Sequence, residues 1–141
     1  MKLFGKTLHI TLTMLTAFLA LTAALGGLAL IANFNAPPVE MLAGSMFKDF
    51  TVPGLSLAII VGGSALFAAV LLFRRSKFDI LFAATAGIII MFFEFVEVMI
   101  IGSPAGPARF MQIFYFGLGT SIVVAAMGTW FLDLVLDMRS N

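Results

Sequence analysis

FDILFAATAGIIIMFFEFVEVMII, residues 78–101, is the stretch that decides the fold. Nearly every position is Ile, Leu, Phe, Val, Met or Ala. About 20 such residues in a helix cross the ~30 Å hydrocarbon core of a bilayer. Three further runs of the same kind lie at 8–32, 53–73 and 109–136. Only helices whose backbone bonds are satisfied internally, or closed barrels, cross lipid. The reading is therefore an all-α, four-transmembrane-helix bundle, up-down-up-down, with predicted helices 7–33, 53–73, 78–102 and 109–136 in a single membrane domain over 1–141.

Composition agrees. The chain is 62% hydrophobic and 11% charged, with mean hydropathy +1.14, against roughly 25% charged in an ordinary soluble domain. Too few polar groups are present to cover a water-exposed surface. There is no cysteine, which excludes disulfides, thiolate metal sites and thiol nucleophiles. A net charge of +1 gives no basis for nucleic-acid binding. The first run is too long for a signal-peptide core of about 7–15 residues and is read as the first span.

The connections carry turn chemistry. Asn33, Asn35, Pro37 and Pro38 end the first helix. Residues 39–47 are apolar but too short to span, and read as a short capping segment between helices one and two. Pro53 suits a first helical turn, where its missing N–H costs nothing. Ser76-x-x-Asp79 reads as a capping box. Small residues at four-residue spacing, among them Ala23/Gly27, Ser64/Ala68 and Gly117/Ser121, let helices approach closely in lipid. Lys2, Lys6, Arg74, Arg75, Lys77 and Arg139 fall on one side and Lys48 and Arg109 on the other. The excess of Lys and Arg on the side holding both termini predicts that this side is cytoplasmic.

The anomaly is Glu94 and Glu97, one helical turn apart among Phe92, Phe93, Phe95, Val96 and Val98. A carboxylate there costs about 2.5–3.5 kcal/mol on insertion scales, so it needs a partner or a purpose. The hairpin to helix four turns between Pro104 and Ala105, so facing residues have numbers summing to about 209. This sets Glu97 level with Gln112 and Glu94 level with Tyr115, and brings Arg109 near the same end. Arg109, Gln112 and Tyr115 recur every third residue and share a face. These five residues are the candidate ligand- or ion-binding cluster, in the outer half of the bilayer, opening under the cap. The alternative is a closed hydrogen-bonded knot, Glu97 with Gln112 or Arg109 and Glu94 with Tyr115. His9, Thr13 and Thr16 form a second polar stripe near the other end. With a single histidine, no metal site, cofactor or catalytic set is implied, and no enzyme is expected.

Several of these segments resemble small uncharacterised bacterial membrane proteins with four helices. They are Phe47-Lys48-Asp49-Phe50-Thr51-Val52-Pro53-Gly54-Leu55, the Arg74-Arg75 turn, Glu97-Val98-Met99-Ile100-Ile101-Gly102, and Gln112 with Phe114 and Tyr115. The resemblance covers about residues 40–120 and implies a bacterial inner-membrane location, with no activity to carry over. Small multidrug transporters share the size but place their key Glu in helix one, where this chain has none.

The expectation is a small integral membrane protein acting as an accessory or structural subunit through helix packing, as a homo-oligomer or in a larger membrane complex within the lipid bilayer. The alternative is a small oligomeric transporter or channel for protons, cations or a small ligand, using Glu94 and Glu97.

Overall fold

The computed structural model describes residues 2–140; Met1 and Asn141 lie outside the described residues. Four helices are each long and apolar enough to span a membrane: α1 Lys2–Ile31, α2 Thr51–Phe73, α3 Asp79–Ile101 and α4 Pro107–Ser140. The chain is a four-helix membrane bundle, with no strand among the described residues. Helices α1 and α4 extend beyond the predicted bounds. At 30 and 34 residues they are about 45 and 51 Å long, so both overrun the hydrocarbon.

The helices form a ring: α1 packs on α2 and α4, α3 packs on α2 and α4, and α1 meets α3 only briefly across the diagonal. Up-down-up-down threading puts both termini and the α2–α3 turn at one end, here the terminal end. The α3–α4 hairpin lies at the other end with the capping segment, which contains a short 3₁₀ turn, Val39–Leu42.

The helix ends follow from local chemistry. Asn33 takes a left-handed conformation (φ 53°), while Phe34 N–H bonds Ala29 O at 2.8 Å and Asn33 N–H bonds Leu30 O at 3.2 Å. This is the Schellman pattern that closes a helix C-terminus. Arg75 (φ 54°) closes α2 in the same way. Helix α2 starts two residues before Pro53, because the Asp49 carboxylate accepts Thr51 N–H at 2.9 Å and fixes the turn. Burial is absent here, and that bond holds the Asp49 carboxyl below its usual range.

Packing relies on small residues. A Cβ on Gly27 would meet Ala58 N at 2.6 Å, and one on Gly54 would meet Gly27 O at 2.8 Å. Gly87 and Gly119 form an equivalent crossing between α3 and α4, each 2.7–2.8 Å from the other's carbonyl by the same measure. In hydrocarbon, where lipid is as apolar as Leu, such close contact supplies the dispersion attraction that holds helices together. Around the crossings lie Leu19, Val61, Ile90 and Ile122, all fully buried, with a lining of alanines. Beside the Gly27–Gly54 crossing, residues Ser56–Val61 of α2 form a wider π-helical turn.

Candidate functional site

Two polar clusters interrupt this apolar interior, one near each end of α3.

At the terminal end, His9 of α1 and Asp79 of α3 are 6% and 7% exposed, with His9 Nε2 3.1 Å from Asp79 Oδ2. The other Asp79 oxygen accepts Ile80 N–H at 2.6 Å. Both carboxylate oxygens are thus partnered. The capping box expected at Ser76 is not formed. Ser76 Oγ accepts from Phe78 N–H at 3.5 Å, Asp79 N–H bonds the Ser76 carbonyl, and the Asp79 side chain turns to α1. The interhelical pair outcompetes the local cap because a buried carboxylate gains more from a distant partner than an exposed one gains from a cap. Thr13 and Thr16, the rest of the predicted stripe, bond the carbonyls of His9 and Leu12 in their own helix.

At the capped end the hairpin register is as the sequence indicates. Gln112 Nε2 donates to Glu97 Oε1 at 3.2 Å and to Gly102 O at 3.0 Å. Glu94 lies one turn deeper, 4% exposed. It is seven residues further along than Gly87, as Gln112 is seven residues before Gly119. Two turns on from the Gly87–Gly119 crossing, Glu94 and Gln112 therefore lie on the faces of α3 and α4 that meet there, with Glu94 deeper than Glu97, the residue Gln112 bonds. The nitrogen of Gln112 has both hydrogens committed, so its Oε1 must point away from Glu97 and Gly102. Gln112 Oε1 and Glu94 Oε2 are both buried with no hydrogen-bond partner. An unpartnered buried acceptor is costly in hydrocarbon.

Two of the five candidates stand apart. Arg109 is exposed, and its guanidinium donates from Nε at 3.0 Å and from Nη2 to the Ser103 carbonyl. It ties the hairpin loop to the start of α4 instead of reaching a glutamate. Tyr115 packs its ring against the core and edge-on to Phe114, with centroids 5.4 Å apart; the expected bond to Glu94 does not form. The closed-knot alternative is thus half realised, at Glu97 and Gln112 only.

The cap covers the end of α3 as expected but does not lead to Glu94. An open cleft of about 520 Å³ lies between Ser45, Met46 and Phe47 of the cap and Val96, Met99 and Ile100 of α3. Those α3 residues occupy a strip well round the helix from Glu94. On the α2 side, the turn near Ser76 sets Ala58 about level with Glu94, so the π-helical turn contacts α3 near the depth of the carboxylate. Such turns recur at functional sites.

Sequence reasoning missed the His9–Asp79 pair. The signal was available: α1 and α3 run parallel, and His9 and Asp79 both lie near the end that holds the termini. A comparison of the chain with protein families, with curated proteins and with solved structures finds no match.

Proposed function

We propose that the chain is a small cell-membrane transporter for protons or cations, with both termini in the cytoplasm and its binding site in the outer leaflet. Glu94 is the binding group, and Glu97 and Gln112 link it to the outer surface. Four tightly packed helices enclose little space, so the working unit is an oligomer. The observation that carries the reading is the buried, unpartnered Oε2 of Glu94. A group kept solely for packing would be matched, as Asp79 is. Here both unmatched atoms are acceptors, and the missing element is a positive species or a proton. The small-residue seams that motivated a purely structural role are largely filled inside the bundle, at Gly27–Gly54 and Gly87–Gly119.

The test is reconstitution in liposomes of the wild type and of Glu94→Gln, Glu97→Gln and the double variant. The expected result is normal assembly with a proton- or cation-dependent flux that Glu94→Gln removes. Equal flux in all four proteins overturns the reading.

One observation favours an accessory-subunit role. Gly117 and Ser121 of α4 are exposed, and nothing lies within 4 Å of a Cβ on Gly117. This pair faces out of the bundle at a spacing suited to another helix. Co-migration with a second membrane protein in mild detergent, lost in Gly117→Leu, is the result that would favour it.

A further inference from the structure

We infer that the occupant of the outer site is a single proton shared between Glu94 Oε2 and Gln112 Oε1, so that the species handled is H⁺ and not a metal cation. This rests on the reading of Glu94 as the working group and narrows its substrate.

The argument is an inventory of donors and acceptors. Glu94 Oε2 and Gln112 Oε1 are the two buried side-chain atoms without partners among the described residues. They belong to residues on the faces of α3 and α4 that meet at the Gly87–Gly119 crossing, and both are acceptors. One hydrogen placed on Glu94 converts it from acceptor to donor, and its O–H then meets the Gln112 oxygen. Both vacant acceptors are then satisfied at once. A hard metal cation is more demanding, taking about six or more oxygens around it. Among the described residues no three His, Cys, Asp or Glu side chains come together. Glu97 Oε1 and Gly102 O are already engaged by the Gln112 amide.

The surroundings supply no competing charge. The stretches of α1 and α2 at this depth, residues 19–31 and 54–65, contain no titratable residue. Helix α4 offers Gln112 and Tyr115, and α3 offers Glu97. Arg109 is directed to the Ser103 carbonyl. Glu40, Lys48 and Asp49 of the capping segment are exposed. Release proceeds by breaking the Glu94 O–H bond. The electron pair stays on the carboxylate, and the proton passes to Glu97, about 4.5 Å nearer the surface along the helix, and then to water.

Two measurements on the full chain in lipid vesicles test this. In infrared spectra, the wild type should give a carboxylic-acid C=O band that vanishes in Glu94→Gln and persists in Glu97→Gln. In Gln112→Leu it should move to higher frequency as its hydrogen bond is lost. No such band, or one that survives Glu94→Gln, overturns the inference. In flux measurements with choline as the sole other cation, proton movement should run as fast as in sodium and fall about 100-fold or more in Glu94→Gln. Movement that requires sodium or another metal cation overturns the inference and leaves the transporter reading standing. Absence of any Glu94-dependent flux overturns both.

Discussion

Helix α3 carries a buried acid near each end, and the two are treated differently. Asp79 has a partner for each oxygen, His9 Nε2 and Ile80 N–H. Glu94 has an oxygen with none. Both are less than 8% exposed, so burial alone does not separate them. The difference is whether the neighbouring helix supplies a donor. Helix α1 offers His9, whereas α4 offers Gln112 with its nitrogen already committed to Glu97 and Gly102. One end is latched and the other is left with a vacancy.

The contrast can be broken first at the latch. His9→Ala leaves Asp79 buried without its interhelical donor. Losing one partner of a buried pair costs about 3–5 kcal/mol in soluble proteins, whereas interhelical bonds in a membrane average about 0.6. Asp79 is the first residue of its helix, and an expectation between these limits is about 2–3 kcal/mol. Reversible unfolding in mixed micelles measures it; a loss no larger than that of an exposed Thr7→Ala control contradicts a structural latch.

At the other end, Gln112→Ala removes the donor to Glu97 and Gly102. A smaller loss of about 1–2 kcal/mol is expected, read in the same unfolding experiment. Glu94→Leu should change stability least of the three. Replacing a buried polar group that is held by one shared proton with apolar volume is close to neutral, within about 1 kcal/mol. A Glu94→Leu protein destabilised as strongly as His9→Ala would make Glu94 a structural latch like Asp79.

The smallest effect is at Asp49, outside the membrane. Its bond to Thr51 N–H holds the folded-state pKa below the usual carboxylate value. The contribution is therefore complete above the unfolded pKa of about 3.9 and is lost as pH falls through the lower folded value. Asp49→Ala should lower the melting temperature slightly at neutral pH and flatten its decline in acid. An unchanged acid limb contradicts the assignment.

Four spans, their order and the α3–α4 register were legible in the sequence, because hydropathy and a tight hairpin are local signals. Glu97 meets Gln112 as the register indicates. Arg109 misled, since its charge suggested a carboxylate partner while a loop carbonyl two residues past the end of α3, that of Ser103, lay within reach. Tyr115 is level with Glu94, but level is not contact: the rotation of α4 turns its ring to the core. His9–Asp79 was hidden because it joins helices 70 residues apart in sequence, and Ser76 offered a plausible local role for Asp79. The glycine crossings were visible only as recurring small residues; which ones meet depends on helix rotation, which sequence spacing does not specify.

The most direct measurement takes stability and flux from one sample: Glu94→Gln in liposomes, scored for thermal midpoint and for proton movement under an imposed pH gradient. The account predicts a midpoint at or above the wild type's with the flux gone. A lowered midpoint with wild-type flux would contradict it and make Glu94 a second latch.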